Sequence, residues 1–370
     1  MSSNKKCAGL IYGKNAHHLD HIACLCSVLS MPLIVTEEEI AGSARHFYPG
    51  IEVICADYLH APEFVVSHFD IIFYSMPRDL FDEVFFFAQK LLQKKVHTVW
   101  CPHGNSDKGH SLFFMEALHK EEVALVYGKQ MIEFLQKKKV FDQLRSHVNI
   151  GNYRYEIYQR DKDFYDHLAE RDISRRLPPA TRTILYAPTW QDYERSGSFF
   201  DAMPCLAENI PADSNLVIKL HPNLLEQHET KVEEILARYA SHPQLLFLTH
   251  FPPIYPLLNI ADVYLGDMSS IGYDFLTFNR PLFFLNQNTR DPLTDPGLYL
   301  FRCGIEIKKE DYPNIYSIID HFFRFELRPF SEIRKEVYAY AFGQRKPLAI
   351  LKSEIEQAIK VFPEPDLSFY

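Results

Sequence analysis

Residues 7–35 begin with the run Cys7-Ala8-Gly9-Leu10-Ile11-Tyr12. They continue through the polar turn 13–16 into His17-His18-Leu19-Asp20-His21-Ile22-Ala23-Cys24-Leu25-Cys26-Ser27-Val28-Leu29. After Ser30 and Met31 they end on Pro32-Leu33-Ile34-Val35. The first and last pieces are short apolar runs bounded by turn residues, the pattern of buried strands. The middle piece places Leu19, Ile22, Ala23, Cys26 and Leu29 at helical spacing. Strand, helix and strand in so short a stretch read as a parallel pair joined by a right-handed crossover.

The same alternation continues outward. Glu52–Cys55, Asp70–Tyr74, His97–Cys101 and Ala124–Tyr127 read as further strands, with helical spacing over Asp79–Gln93, Leu112–Leu118 and Lys129–Lys138. A basic stretch with paired prolines, Ser174–Arg182, reads as a linker or surface loop. A second series follows: strands at Thr183–Ala187, Asn215–Leu220, Leu245–Leu248, Asp262–Leu265 and Pro281–Leu285, helices near Phe199–Glu208, Leu224–Tyr239 and Ile271–Phe278, and a helical tail over Tyr312–Phe323 and Ser331–Phe362. The expected class is α/β, two doubly wound Rossmann-like lobes facing a cleft. The expected division is 1–150, 151–340 and a C-terminal helical segment, 341–370, returning to the first lobe.

Composition narrows the function. The chain has 370 residues, 47% hydrophobic and 24% charged, as expected of a globular protein long enough for two cores. Its net charge of −9 argues against nucleic acid as the partner. The seven cysteines are scattered without a C-x-x-C, which points to a reducing, cytoplasmic setting and away from a zinc ribbon. The N-terminal apolar run is too short for a signal segment, and no run approaches the about 20 apolar residues of a membrane span. Contact with a membrane surface stays open, with Lys137-Lys138-Lys139 as one candidate. Oligomeric state is not legible.

Ligands of doubly wound sheets sit beyond the carboxyl ends of the strands, and four such places stand out. After His97–Cys101 comes Pro102-His103-Gly104-Asn105-Ser106-Asp107. His103 is there either a general base or anion contact, or a turn histidine bonded to a local carbonyl. Lys219 precedes Leu220-His221-Pro222, and His221 is either an anion contact at a helix start or a capping residue. Gly266-Asp267-Met268-Ser269-Ser270 offers paired hydroxyls that suit an N-cap or a phosphate cradle, with Asp267 capping or gripping a hydroxyl. Tyr186-Ala187-Pro188-Thr189-Trp190 puts an aromatic past a strand end, able to stack on a base or to fix the loop. His17 and His18 follow the first strand and could line the cleft; with no third ligand nearby they do not read as a metal site.

In order and spacing these segments, with Gly151-Asn152-Tyr153-Arg154 and Arg280-Pro281 added, resemble the CDP-glycerol glycerophosphotransferase family, the teichoic-acid primases and polymerases. The likeness spans about residues 97–290. It implies a GT-B fold and transfer of a polyol phosphate from a CDP-activated donor to a polyol, glycan or lipid-linked acceptor hydroxyl, releasing CMP. Carried over, His103 is the base for the acceptor and His221 steadies the donor diphosphate. Arg154, Thr189, Trp190, Lys219, Asp267, Ser269 and Ser270 fall on the donor side; Gly104, Asn105, Ser106, His17 and His18 fall on the acceptor side. No cofactor is built in, and Mg2+ would accompany the donor diphosphate. The expected location is cytoplasmic, with peripheral contact at the inner face of the cytoplasmic membrane left open.

Departures sharpen the expectation. Asn105-Ser106-Asp107 stands where the family has Thr-Pro-Leu, Tyr153 and Glu156 replace a proline and an aspartate, and Met268 replaces a tyrosine. They imply retained donor chemistry with an acceptor other than the usual linkage lipid. The length favours a single-step transferase over a polymerase. Two other classes compete: a GT-B glycosyltransferase using a nucleotide sugar, and a non-catalytic GT-B-like protein that binds a glycan or a partner.

Overall fold

The computed structural model describes residues 5–108, 118–190, 196–325 and 328–363. They fall into two compact units. The first takes 5–103, 118–159 and 341–363 of the described residues, and the second takes 104–108, 160–190, 196–325 and 328–340.

The first unit is built on seven parallel strands: β1 (Cys7–Ile11), β2 (Leu33–Val35), β3 (Val53–Cys55), β4 (Ile71–Tyr74), β5 (His97–Trp100), β6 (Val123–Val126) and β7 (Ser146–Asn149). Their order is β3-β2-β1-β4-β5-β6-β7. The direction of winding reverses between β1 and β4, so the crevice for a ligand opens beyond the carboxyl ends there. Residues 12–18 follow β1 to that end, and 101–103 follow β5. The helix Leu19–Leu29 lies so close on β1 that a Cβ on Gly9 would come within 2.5 Å of Cys26 Sγ and 2.7 Å of Ile22.

The second unit repeats the plan with β8 (Arg182–Ala187), β9 (Ser214–Lys219), β10 (Leu245–Leu248), β11 (Val263–Gly266), β12 (Leu282–Asn286) and β13 (Ile305–Lys308), ordered β10-β9-β8-β11-β12-β13, all parallel. Its reversal falls between β8 and β11, which brings Thr189 and Ser269 to the same end of the sheet. The central strands are buried on both faces, which is why they read as unbroken apolar runs. Each fully buried Leu, Ile or Phe contributes about 1.5–3 kcal/mol.

Several elements depart from the sequence reading. β7 and β13 are edge strands whose apolar content is too thin to announce them. The helices Glu38–Phe47 and Ala61–His68 complete the alternation between β2 and β4. The single helix expected over Leu224–Tyr239 is broken at His228, and the tail breaks at Gly343 (φ +71°) and Pro347 into Arg328–Phe342 and Leu348–Ala358. The helix expected at Leu112–Leu118 lies almost wholly outside the described residues, Leu118 opening one 3-10 turn. Ser174–Arg182 lies inside the second unit, whereas residues 151–159 belong to the first. The reason is the helix Tyr153–Arg160: Tyr153 is buried with its hydroxyl donating to the His21 carbonyl, and Arg154 pairs with Asp20.

Candidate active site

In the first unit, three imidazoles gather beyond the ends of β1 and β5. The ring of exposed His103 lies 4.9 Å from His18 and 5.9 Å from His17, and the last two are 4.1 Å apart. Burial lowers His17 to about 3 and pushes His18 and His21 well below the usual imidazole range. His103 therefore stands among neutral rings near pH 7. Beneath them His21 Nδ1 is hydrogen-bonded to Tyr127 Oη at 2.8 Å, and Tyr127 Oη reaches the carbonyl of Pro102 at 3.4 Å. That chain ends one residue before His103.

Arg154 is 4% exposed, and its Nη1 donates to Asp20 Oδ2 at 2.9 Å while Tyr48 Oη donates to Oδ1. The arginine expected to grip donor phosphate is thus a buried ion-pair partner in the first unit.

In the second unit, the carboxyl ends of β8, β9 and β11 each deliver part of the candidate set. Past β9, His221 caps the helix Pro222–Gln227: its Nδ1 accepts from Asn223 N at 3.2 Å. An acceptor Nδ1 places the proton of the neutral ring on Nε2, so the capping and the anion-contact readings are compatible. The Trp190 ring lies 6.3 Å from that of His221, and Lys219 Nζ donates to the Phe251 carbonyl at 2.9 Å. Past β11, Ser269 caps the helix Ser270–Phe275 by accepting from Ile271 N. Asp267 neither caps it nor reaches solvent. Fully buried, its Oδ2 accepts from Thr189 N at 2.8 Å and Ser198 N at 3.1 Å, and burial raises its carboxyl to about 6.

The segment after His103 belongs to this unit. Gly104 has φ +128°, and a Cβ there would lie 2.5 Å from Ser270 Cβ. Asn105 and Asp107 are buried at 3% and 1% exposure, leaving Ser106 exposed. Asp107 accepts from Tyr273 Oη at 2.6 Å and Leu300 N at 2.8 Å, and Lys108 Nζ donates to Thr189 Oγ1 at 2.6 Å. Sequence reasoning missed Asp107, Lys108, Tyr273 and Ser198. The signal for the first two was their place directly after the His-Gly turn. Asp274 is buried and accepts from Tyr255 Oη at 3.1 Å. Among the described residues no three His, Cys, Asp or Glu side chains come together to hold a metal ion.

Comparison with known proteins follows from this geometry. A teichoic acid glycerol-phosphate primase of Bacillus spizizenii is 27% identical over 110 residues, covering 30% of this chain and 26% of that protein, about a quarter of the relative's length. Among solved structures, the wall teichoic acid polymerase TagF superposes with a TM-score of 0.67 at 14% identity, covering 96% of this chain and 88% of that one. The S. aureus MnaA–UDP co-structure superposes at 0.61 with 14% identity, covering 96% of each chain. These likenesses place the two doubly wound units in the GT-B fold class. The family model for CDP-glycerol:poly(glycerophosphate) glycerophosphotransferases matches residues 114–300. With just over half of its length matched, the chain belongs to that family.

Proposed function

We propose that this chain transfers a polyol phosphate, with glycerol phosphate the first choice, from a CDP-activated donor to an acceptor hydroxyl. The acceptor oxygen attacks the polyol-bearing phosphorus, the phosphoanhydride bond breaks, and CMP leaves with the bonding electron pair. The acceptor proton passes to His103, whose neutral neighbours His17 and His18 add no repelling charge. His221 Nε2–H and the Ser270 hydroxyl hold the diphosphate as charge builds on it. Trp190 stacks on the base. Thr189 and Asp267 act indirectly, by holding the loop that carries Trp190.

The observation that carries this reading is the hydrogen bond made by His221. Its Nδ1 is engaged with the Asn223 amide, so the ring is set to donate from Nε2, as an oxyanion requires. An ion that accompanies the diphosphate would enter with the substrate.

A membrane contact belongs to the same proposal. Lys137–Lys139 lacks an apolar companion face, since Met131, Ile132 and Phe134 of that helix pack inward. The helix Arg78–Leu91 instead exposes Leu80, Phe86, Phe87 and Leu91 beside Lys90, with Lys95 just beyond, a combination suited to an anionic lipid surface. Among the described residues no helix is long and apolar enough to cross a membrane.

The test is CMP release from CDP-glycerol and CDP-ribitol, with thermal shifts for both donors and for UDP-sugars. His103→Ala is expected to abolish turnover and leave donor binding within twofold. Stabilisation by UDP-sugars alone would transfer the assignment to glycosyl transfer.

A further inference from the structure

The first unit ends at His103 and the second begins at Gly104, so the residues directly after His103 are held within the second unit. The second unit holds them at three points. Gly104 packs on Ser270, Asp107 bonds Tyr273 and the Leu300 amide, and Lys108 bonds Thr189. Tyr273 lies on the helix Ser270–Phe275, which begins at the hydroxyls assigned above to the donor diphosphate.

Asp107 is the unusual member. A buried carboxylate is costly unless bonded, and this one receives a phenol hydroxyl and a backbone amide at short distances. Charge-assisted bonds of this kind are about twice as strong as neutral ones and are directional.

We infer that Asp107 is a positioning residue for the transfer, anchoring the segment behind His103 to the helix that binds the donor. The inference rests on the functional reading above for the identity of the reaction. It also revises what the departure at 105–107 means. Asn105 and Asp107 are buried, so at these two positions the altered sequence is a different fastening of the turn, and Ser106 alone of the three is exposed.

The experiment compares the full chain with Asp107→Asn, Tyr273→Phe and the double variant. Asp107→Leu, which keeps the site filled, serves if the amide variant does not fold. Three quantities are read: kcat for CMP release, Kd for CDP-glycerol, and the rate of carbethoxylation of His103 by diethyl pyrocarbonate, resolved by mass spectrometry. Each single variant is expected to lower kcat about tenfold, because small misplacements of a reacting group cost on that scale or more. Donor Kd stays within twofold, and the His103 modification rate changes at least threefold. The double variant should be no worse than the worse single one, since both remove one bond.

An unchanged kcat with an unchanged His103 rate overturns the inference. So does a donor Kd that weakens in step with kcat, which would place Asp107 in the donor pocket. If the parent protein releases no CMP, the functional reading fails. The anchor is then judged by His103 reactivity alone: a shift in all variants upholds it and no shift overturns it.

Discussion

Gly104 and Ser270 meet so closely that a methyl group has no room between them. A Cβ on Gly104 would stand 2.5 Å from Ser270 Cβ and 2.8 Å from its Oγ, and Gly104 also adopts φ +128°. Two independent demands thus call for glycine, one of space and one of backbone conformation. In Gly104→Ala the clash moves either the turn after His103 or the helix start at Ser270. We expect kcat to fall at least tenfold, with a loss of about 1–3 kcal/mol in stability from the backbone term alone. Adding Ser270→Gly removes the clash, leaves the φ penalty and also deletes the hydroxyl assigned to the diphosphate, so it should relieve only the steric part of the stability loss and should not restore kcat. Denaturation midpoints of the two variants separate the steric and backbone terms, and parent-like CMP release in Gly104→Ala would show that the contact does not matter.

His221 carries two tasks on its two nitrogens, and two substitutions divide them. Asparagine places an amide oxygen near the Nδ1 position and is a good N-cap, so His221→Asn should keep the helix Pro222–Gln227 while losing the Nε2–H donor. Glutamine reaches the Nε2 position with an amide group and gives up the cap. We expect His221→Asn to melt within a few degrees of the parent and lose about 10²–10³ in kcat, the usual scale for deleting one oxyanion donor. His221→Gln should lose stability by about 1 kcal/mol and retain more activity. Reversed ranks would mean that the residue is a cap and nothing else.

Arg154 was legible as a candidate site residue, and its buried partner was not. Its guanidinium is buried on Asp20, so Arg154→Ala strands a carboxylate in the interior. The expected cost is about 3–5 kcal/mol, the range for breaking a buried pair. Donor affinity measured at a temperature where the variant is still folded should stay within twofold. Urea denaturation and a CDP-glycerol titration decide this, and a tenfold loss of affinity without a loss of stability would return Arg154 to the donor site.

What could be read from the chain follows from where periodic signals are strong. Strands buried on both faces, such as Leu282–Asn286, announce themselves because the run Leu282-Phe283-Phe284-Leu285 is unbroken apolar sequence. The edge strands Ser146–Asn149 and Ile305–Lys308 do not, because one side of each meets solvent or a helix and the pattern dilutes. Strand ends located His103, His221, Thr189 and Ser269, since the doubly wound plan dictates where ligands bind. The division of labour among these residues was hidden. It depends on contacts far apart in sequence, such as Asp107 with Tyr273 and Asp20 with Arg154, and no local pattern encodes such partners.

The buried titratable groups make the two units respond oppositely to acid. In the first unit His17, His18 and His21 are held neutral by burial, His17 down to about 3, against an ordinary imidazole value of 6.5. Below pH 6.5 the unfolded chain takes up protons that the native unit refuses, so stability falls as pH falls. Each such group contributes a slope of about 1.4 kcal/mol per pH unit at most. In the second unit Asp267 is raised from 3.8 to about 6. Between those values the native state holds a proton that the unfolded state has lost, so this contribution fades as pH rises through 6. The first unit is therefore expected to open before the second on moving from pH 7 to pH 5. Hydrogen exchange resolved by peptide at pH 7, 6 and 5, with rates corrected for intrinsic pH dependence, reads the two units separately. His18→Gln should flatten the acid slope of the first unit by about one proton. Equal protection of residues 7–29 at pH 7 and pH 5 would mean that these imidazoles accept protons in the native state, and with that the neutral surroundings assigned to His103 would be lost.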